Sequence, residues 1–261
     1  MNQESPSTGS DSKPLLALRG FSKSFGAVEA LKDVDFEIHG GEVVGLVGDN
    51  GAGKSTLVKA IAGVQPTDSG EATFDGSPVN LNSPQAATRL GIATIYQDLA
   101  LCENLDVVAN LFLGKEVSNG GPGVLDETAM EQKSLELLGS LGVTTIRSVR
   151  TDVEQLSGGQ RQAVAIARSL LGEPKLVMLD EPTAALGVRQ TAQVLELIKR
   201  LRDQGLGVVL ISHNLANVFE VADRITVLRL GREAGDFTAG DTNQEQVVAA
   251  ITGASGNGGK A

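Results

Sequence analysis

A glycine-rich stretch that ends in a lysine and a serine has the residue types needed to bind phosphates. The stretch Gly48-Asp-Asn-Gly-Ala-Gly-Lys54-Ser55 fits the pattern G-x-x-x-x-G-K-[ST] of a phosphate-binding loop, or P-loop. Backbone N–H groups of such a loop approach a phosphate chain closely, and the following helix turns the positive end of its dipole toward it. Lys54 would reach the β- and γ-phosphates, and Ser55 would offer its hydroxyl to Mg²⁺. The alternative is a glycine-rich strand-to-helix turn that matches by accident.

The residues predicted to bind nucleotide in this segment are Gly48, Asp49, Asn50, Gly51, Ala52, Gly53, Lys54, Ser55 and Thr56.

Two acidic residues follow an apolar run in Leu176-Val-Met-Leu-Asp180-Glu181. If the run is a strand of an open α/β sheet, its carboxyl end lies beside the P-loop. Asp180 could then hold Mg²⁺ through its water shell, and Glu181 could orient or deprotonate an attacking water. Without a P-loop, two such acids are more often merely solvated, so this prediction depends on the loop.

The segment Leu156-Ser-Gly-Gly-Gln160 opens a helical pattern, with Ser157 placed as its N-cap. One interpretation is a simple helix cap after a flexible turn. The other is a second phosphate-binding helix terminus, with the Ser157 hydroxyl and the N–H groups of Gly158 and Gly159 directed at an anion.

Apolar periodicity predicts the elements that must position these residues. Unbroken apolar runs at 43–47, 92–96, 176–179 and 208–211 suit a parallel sheet covered by helices on both faces. Alternation at 34–39, and a strand at 71–74 entering an Asp75-Gly76 turn, predict an antiparallel part near the N-terminus. Helices are predicted after the P-loop at 56–62 and at the apolar stripes within 105–112, 137–141, 163–170, 194–201 and 215–222.

These patterns predict an α/β protein with a helical insertion at about 98–170. The folded part is expected at 15–251, between tails at 1–14 and 252–261 that are expected to be flexible.

The amino-acid composition argues against several classes of function. The 261 residues carry 22 Lys plus Arg against 32 Asp plus Glu, a net charge of −10, which argues against nucleic acid as the main partner. One cysteine, Cys102, excludes an internal disulfide, and no apolar run approaches the ~20 residues that span a bilayer. We therefore expect a cytoplasmic protein whose membrane role comes through a partner.

The order of P-loop, Leu-Ser-Gly-Gly-Gln, apolar strand with Asp180-Glu181 and then His213 resembles the nucleotide-binding subunit of ATP-binding cassette (ABC) transporters. The resemblance covers about residues 15–248. It implies a P-loop NTPase with a RecA-like core, an N-terminal antiparallel β subdomain and an inserted helical subdomain. It also implies an ATPase using ATP and Mg²⁺, with two copies paired head to tail so that ATP lies between the P-loop of one and Ser157 to Gln160 of the other.

The same resemblance implies roles for single residues. Phe25 would stack on adenine, Gln97 would touch Mg²⁺ and sense the membrane partner, Glu181 would be the catalytic base, and His213 would contact the γ-phosphate. From the sequence alone, Phe25 could instead be a core aromatic, Gln97 a surface residue, and His213 a satisfied histidine at a strand end.

Two further stretches, residues 96–114 and 181–187, are similar to the carbohydrate-importer branch that serves monosaccharides such as ribose, xylose and fructose. The implied partners are a second cassette, an integral membrane permease and, indirectly, an extracytoplasmic sugar-binding protein, with the chain on the inner face of the membrane. Gly187 stands where the wider family often has Asp, which puts communication between the two ATP sites in doubt. The alternatives are a soluble ABC-type ATPase acting on ribosomes or DNA, and a module that binds ATP without hydrolysing it.

Overall fold

A computed structural model describes residues 13–119 and 124–254 of the chain. The strands are β1 (Leu16–Phe25), β2 (Val28–Ile38), β3 (Val43–Val47), β4 (Ser69–Phe74), β5 (Ser77–Val79), β6 (Ile92–Ile95), β7 (Leu176–Asp180), β8 (Gly207–Ile211), β9 (Arg224–Arg229) and β10 (Arg232–Thr238). The helices are α1 (Lys54–Ile61), α2 (Pro84–Leu90), α3 (Val107–Phe112), α4 (Glu127–Ser140), α5 (Gly158–Leu170), α6 (Val188–Asp203), α7 (Leu215–Val221) and α8 (Gln244–Thr252), with short 3-10 helices at Val153–Gln155 and Ala239–Asp241.

The larger sheet has the strand order β10-β9-β3-β8-β7-β6. Neighbours from β9 to β6 run parallel, and only the edge strand β10 is antiparallel. Every residue of β3 and β8 is buried, as expected for strands covered on both faces. Because the five parallel strands point the same way, the residues that follow β3, β6, β7 and β8 meet at one edge of this sheet.

The smaller sheet is antiparallel, with the order β2-β1-β4-β5. Asp75 and Gly76 form the turn between β4 and β5, as the sequence predicts, and both have positive φ. The inner faces of this sheet, α1 and the larger sheet share one apolar core that includes Leu16, Phe36 and Leu57. The N-terminal antiparallel part therefore packs directly on the helix that follows the P-loop.

The chain between β6 and β7 contains the helices α3, α4 and α5, joined by loops. These helices share a second apolar core with the opposite face of the larger sheet, including Leu111, Leu138 and Ile166. Within the described residues, the segment contains isolated bridges, Asp106–Asp152 and Ser118–Leu125, and no longer strand. The signature segment Leu156–Gln160 lies at the start of α5, in this helical part.

Several predicted boundaries are wrong by one or a few residues. β6 ends at Ile95, so Tyr96 lies outside it, and α1 begins at Lys54 rather than at Thr56. Leu105 precedes α3. The predicted stop at Gly205 is confirmed, because α6 ends at Asp203 with Gln204 as its C-cap and Gly205 follows at φ 89. The predicted tail from 252 begins inside α8, which reaches Thr252 and is capped by Gly253 at φ 79. The remaining predicted tail residues, 1–12 and 255–261, lie outside the described residues.

Candidate functional site

The P-loop joins the carboxyl end of β3 to α1. Gly48 has φ 150, and a Cβ atom there would lie 2.2 Å from the carbonyl oxygen of Leu228. Gly53, at φ 108, is the N-cap of α1, and its Cβ position lies 2.6 Å from the carbonyl oxygen of Ala30. The two glycines are thus required by backbone conformation and by close approach to β9 and β2.

The side chain of Lys54 is held inside the loop. Its Nζ donates hydrogen bonds to the carbonyl oxygens of Gly48, at 2.7 Å, and Asp49, at 3.0 Å. Burial lowers the pKa of Lys54, and the carboxylates of Glu181, Asp49 and Asp180 oppose that shift. Lys54 therefore presents a partly desolvated positive charge at the loop, where a phosphate would be attracted to it.

Asp180 and Glu181 lie at the same sheet edge. Asp180 is the last residue of β7 and is paired with Ile211 of β8. Burial raises the pKa of Asp180, the nearby Glu181 raises it further, and Lys54 and Lys59 lower it. The charge of Glu181 therefore acts on both Lys54 and Asp180, which places the P-loop and the end of β7 close together.

Glu181 has a strained backbone and a defined partner. Its φ is 49, and its N–H donates to the carbonyl oxygen of Ile211 at 2.9 Å. Its Oε1 accepts a hydrogen bond from the backbone N–H of His213 at 3.0 Å, and His213 Nδ1 lies 2.8 Å from the same oxygen. A left-handed backbone in a residue other than glycine costs free energy and persists only where its surroundings fix it.

His213 and Gln97 follow β8 and β6, the two strands that flank β7 in the sheet. The His213 side chain is 76% exposed, so His213 is not a core residue. Gln97 is exposed as well, one residue after Tyr96. The structure therefore brings the P-loop, Asp180, Glu181, His213 and Gln97 to one edge of the larger sheet.

Phe25 ends β1 and is 44% exposed, which removes the interpretation as a core aromatic. The ring centroid lies 5.7 Å from Lys23 Nζ. The partner strand β2 contacts the P-loop at Ala30. Phe25 thus offers an accessible aromatic face on the hairpin that borders the P-loop.

The signature segment forms a well-capped helix start. Ser157 is the N-cap of α5: its Oγ accepts from the Gln160 N–H at 3.3 Å, and its N–H donates to Gln160 Oε1 at 2.8 Å. Gln160 Nε2 also donates to the carbonyl oxygen of Thr145 at 2.8 Å. The helix cap that the sequence predicts at Ser157 is confirmed. Both polar atoms of the Gln160 side chain, Oε1 and Nε2, are hydrogen-bonded.

Gly158 and Gly159 pack closely against the segment that follows Glu181. A Cβ at Gly158 would lie 2.8 Å from Leu186 Cδ2, and one at Gly159 would lie 3.2 Å from Gln190 Cβ. Ser157 itself is exposed. In the part of the chain that the structure describes, no hydrogen bond or ion pair joins residues 156–160 to residues 48–56.

One supporting residue was missed by sequence reasoning. Gly231, in the turn between β9 and β10, donates from its N–H to the carbonyl oxygen of Ala52 at 3.0 Å, and its own carbonyl accepts from the Lys32 N–H at 2.7 Å. It thereby fixes the P-loop to β2. The Leu230-Gly231 pair signals a turn, but nothing local shows that the turn contacts the P-loop.

Comparison with known proteins adds independent findings. The sequence model of the family described as "ABC transporter" matches residues 31–184. The chain is 46% identical over 249 residues to the fructose import ATP-binding protein FrcA of Rhizobium meliloti, covering 93% of this chain and 95% of FrcA. It is 48% identical over 238 residues to the xylose/arabinose import ATP-binding protein XylG of Sulfolobus acidocaldarius, covering 91% and 94%.

A third relative, the ribose import ATP-binding protein RbsA 1 of Rubrobacter xylanophilus, is 44% identical over 243 residues, which are 93% of this chain and 48% of RbsA 1. Among solved structures, a nucleotide-free ATP-binding cassette from an ABC transporter is similar in fold, with a TM-score of 0.77 at 24% identity over 92% of this chain and 96% of that one. The dimeric cassette MJ0796, in a post-hydrolysis state bound to ADP and Pi, has a TM-score of 0.70 at 26% identity, covering 86% and 98%.

Proposed function

Because this chain belongs to the family of ABC transporter ATP-binding domains, we propose that it powers the uptake of a small sugar through a separate membrane permease. ATP binding and ATPase activity coupled to transport belong to the family. The sugar is proposed from the names of the relatives that match the chain over nearly their whole length.

The observation that carries the ATPase chemistry is the Glu181–His213 pair beside the P-loop. Glu181 Oε1 accepts from the backbone N–H of His213 and lies 2.8 Å from His213 Nδ1, which holds the carboxylate at the sheet edge that carries Lys54 and Asp180. A carboxylate oriented in this way can position an attacking water and accept its proton. The exposed side chain of His213 would contact the γ-phosphate.

The remaining roles follow from the same placement. Lys54 would exchange its loop carbonyl partners for the β- and γ-phosphates, and the N–H groups from Gly48 to Thr56 would hold the phosphate chain. Phe25 would stack on the adenine, for which its exposed ring leaves room.

The donor atoms near the P-loop fit Mg²⁺. Ser55, Gln97 and Asp180 offer hydroxyl, amide and carboxylate oxygens, the hard ligands that Mg²⁺ prefers beside phosphates. Within residues 13–119 and 124–254, no cluster of three or more His, Cys, Asp or Glu forms a metal site, so the phosphates themselves would complete the ligands. When bound, Mg²⁺ would neutralise charge on the phosphate oxygens.

A second cassette would supply the missing half of each nucleotide site. Ser157 is exposed, and within the described residues no hydrogen bond or ion pair joins its helix start to the P-loop of its own chain. Two copies related by a two-fold axis would place each signature segment against the nucleotide of the other. The dimeric ADP- and Pi-bound cassette MJ0796 supports this arrangement.

The permease would bind at a groove of about 470 Å³ between the larger sheet and the helical part. Its lining includes Tyr96 and Asp98, which flank Gln97, and the apolar residues Leu99 and Leu113. Leu113 is 49% exposed. Binding to the permease at this groove would place the chain at the inner face of the membrane. No helix in the described ranges is both long and apolar enough to cross a bilayer.

The proposal is tested by isolating the tagged chain from detergent-solubilised membranes of its host and identifying the co-purifying proteins. We expect a permease with many membrane spans and, with it, an extracytoplasmic sugar-binding protein. A Leu113→Arg variant should lose the permease and keep its ATPase activity. The matched control, Val248→Arg on α8, replaces an apolar residue of similar exposure (44%) outside the groove and should retain the permease.

Recovery of ribosomal or DNA-bound proteins with no membrane partner would overturn the transport role and leave the ATPase chemistry intact. The net charge of −10 already disfavours that alternative. A phosphate-release assay separates hydrolysis from simple ATP binding, and absence of released phosphate would support the regulatory module instead.

A further inference from the structure

The exposed ring of Phe25 is bordered by a lysine of the same strand. Lys23 Nζ lies over the ring, 5.7 Å from its centroid. An ammonium within about 6 Å of the centroid is attracted to the negative face of an aromatic ring. Phe25 is nevertheless 44% exposed, so the ammonium covers one face of the ring and leaves part of the ring accessible to a ligand.

Asp68, directly before β4, holds this ammonium in place. Its Oδ1 accepts from Lys23 Nζ at 2.7 Å, and its Oδ2 accepts from the Ser24 N–H at 2.7 Å. Its own N–H donates to the carbonyl oxygen of Ser22 at 2.8 Å. The hydrogen bond from Lys23, and after it the one from the Ser24 N–H, lowers the pKa of Asp68, so the carboxylate is charged at neutral pH. Asp68 thus binds the three residues that precede Phe25.

This end of β1 is not held by regular strand pairing alone. The register between β1 and β2 shifts twice within residues 21–24, and the pairing of β1 with β4 ends at Ser22. Such irregularities disrupt the hydrogen-bond ladder and increase the local twist of a strand. Beyond Ser22, the Asp68 side chain therefore provides the connection between β4 and the strand end that carries Phe25.

We propose that Lys23, anchored by Asp68, is a positioning residue for nucleotide binding, which covers one face of the Phe25 ring and fixes the ring so that its other face receives the adenine. The proposal rests on the proposed function, in which Phe25 stacks on adenine. It adds two residues that do not touch the nucleotide and that set the affinity for its base.

The ion pair explains why Lys23 acts on the base and not on the phosphates. The Asp68 carboxylate balances the charge of the Lys23 ammonium at 2.7 Å, so the pair exerts little attraction on a distant triphosphate. A ring that is fixed before binding loses less conformational entropy when a base stacks on it. The contribution of Lys23 should therefore appear in binding of the adenine and be absent from binding of the phosphates.

Three substitutions in the full-length chain test the proposal. Lys23→Met keeps the apolar stem and removes the ammonium, whereas Lys23→Arg keeps a positive charge that can lie over the ring. Asp68→Asn keeps an acceptor for the Ser24 N–H and removes the charge that anchors Lys23. The matched control is Lys32→Met on β2 of the same hairpin, where Lys32 Nζ lies 3.1 Å from Glu29 Oε2.

Equilibrium binding is measured for two ligands, an ATP analogue with a non-hydrolysable β–γ bond and inorganic tripolyphosphate, which lacks the base. Lys23→Met should weaken binding of the analogue about threefold, the size of an exposed cation–π contact. Asp68→Asn should weaken it about twofold, and Lys23→Arg should stay close to the parent. Affinity for tripolyphosphate should be the same in all variants, and kcat for ATP should stay within about twofold while KM rises.

A double-mutant cycle with Phe25→Ala separates positioning from a general structural role. Phe25→Ala alone should weaken binding of the analogue about tenfold, the range for loss of a base–aromatic stack. Adding Lys23→Met to Phe25→Ala should cause no further loss, because Lys23 acts through the ring. A structural role would instead weaken both ligands and persist without the ring. If Lys23→Met folds poorly, Asp68→Asn replaces it in the cycle.

Three results overturn the proposal. Weaker binding of tripolyphosphate by Lys23→Met than by Lys32→Met would mean that Lys23 contacts the phosphates. Parent-like affinity of Lys23→Met and Asp68→Asn for the analogue, with Phe25→Ala weakened, would leave the proposed function intact and remove Lys23 from it. If Phe25→Ala itself binds the analogue as tightly as the parent, adenine stacking in the proposed function is wrong, and this proposal fails with it.

Discussion

The P-loop region and the signature segment are both built at the start of a helix, but they differ in how far one chain completes them. Around the P-loop, Glu181 has φ 49, and burial together with neighbouring charges shifts the pKa of Lys54 and of Asp180. At the signature, Ser157 and Gln160 hydrogen-bond to each other, and Ser157 is exposed. Partly buried charge is thus concentrated beside the P-loop, whereas the signature segment is a well-capped and exposed helix start.

This contrast indicates that the two regions should respond differently to substitution. Substitutions at the P-loop side should change ATP binding or ATP hydrolysis, and the changes in affinity or rate should be large. Changes at the signature should alter stability slightly and activity only through a second copy. The following predictions run from the largest expected effect to the smallest.

Glu181→Gln should lower turnover by roughly 10²–10⁴-fold, the usual loss when a positioned base is removed. ATP affinity should change little, because the amide keeps the shape of the side chain and can still accept from the His213 N–H. Phosphate release and equilibrium binding of a fluorescent ATP analogue measure the two quantities. Glu71→Gln, on exposed β4, is the control, and hydrolysis by Glu181→Gln at the rate of that control would remove Glu181 from the role of base.

Gly48→Ala should destabilise the chain by roughly 3 kcal/mol, since the new Cβ would overlap the Leu228 carbonyl oxygen at a backbone φ of 150. Gly187→Ala is the counterpart near the signature, with φ −72 and nothing within 4 Å of its Cβ position. Urea unfolding of the two variants measures the difference. Equal midpoints would show that the P-loop backbone is not constrained as described.

Lys54→Ala should weaken ATP binding by roughly 10–100-fold, the range for losing charge-assisted hydrogen bonds to phosphate. The control Lys59→Ala removes a positive charge from the exposed side of the same helix, α1. Calorimetric titration with ATP compares the two. An affinity in Lys54→Ala equal to that of Lys59→Ala would count against the P-loop assignment.

Ser157→Ala should cost about 1 kcal/mol of stability through loss of the helix cap. Asn243→Ala removes the equivalent cap of α8, where Asn243 Oδ1 accepts from the Gln246 N–H at 3.0 Å, and should cost a similar amount. Only Ser157→Ala should also lower ATP hydrolysis, while leaving ATP affinity unchanged. Equal hydrolysis by the two cap variants would confine Ser157 to a structural role.

Gly187→Asp should stabilise the chain by a few tenths of a kcal/mol, because Asp is a slightly better N-cap than glycine and the site has room for a side chain. Thermal unfolding should show a midpoint raised by about 1 °C. A lowered midpoint would mean that the exposed start of α6 is more constrained than its geometry indicates.

Sequence reasoning predicted the local conformations at the candidate site well and the contacts between distant segments poorly, for a physical reason. The P-loop, the Ser157 cap and the strand end at Asp180 are local patterns in which neighbouring residues dictate the conformation. Strand β1 was missed because its register shifts at three places against β2, so its apolar residues do not alternate cleanly. No local pattern could show that Lys23 binds Asp68, which lies 45 positions further along the chain.

The same limit applies to the site. The order of strands in the larger sheet places Gln97, Glu181 and His213 at one edge, and this order follows from tertiary packing rather than from any one segment. The contact between His213 Nδ1 and Glu181 Oε1, at 2.8 Å, was not predicted, since the resemblance implies separate roles for Glu181 and His213.

The most direct test of the two-copy site mixes two inactive variants, Lys54→Ala and Ser157→Arg. Each variant alone can form only sites that lack one half, but a mixed pair contains one site with an intact Lys54 from one copy and an intact Ser157 from the other. Single-turnover ATP hydrolysis should therefore reappear on mixing, reaching about a quarter of the parent value at equal amounts. Hydrolysis by the mixture that stays at the sum of the two variants, at every ratio, would contradict a site shared between two copies.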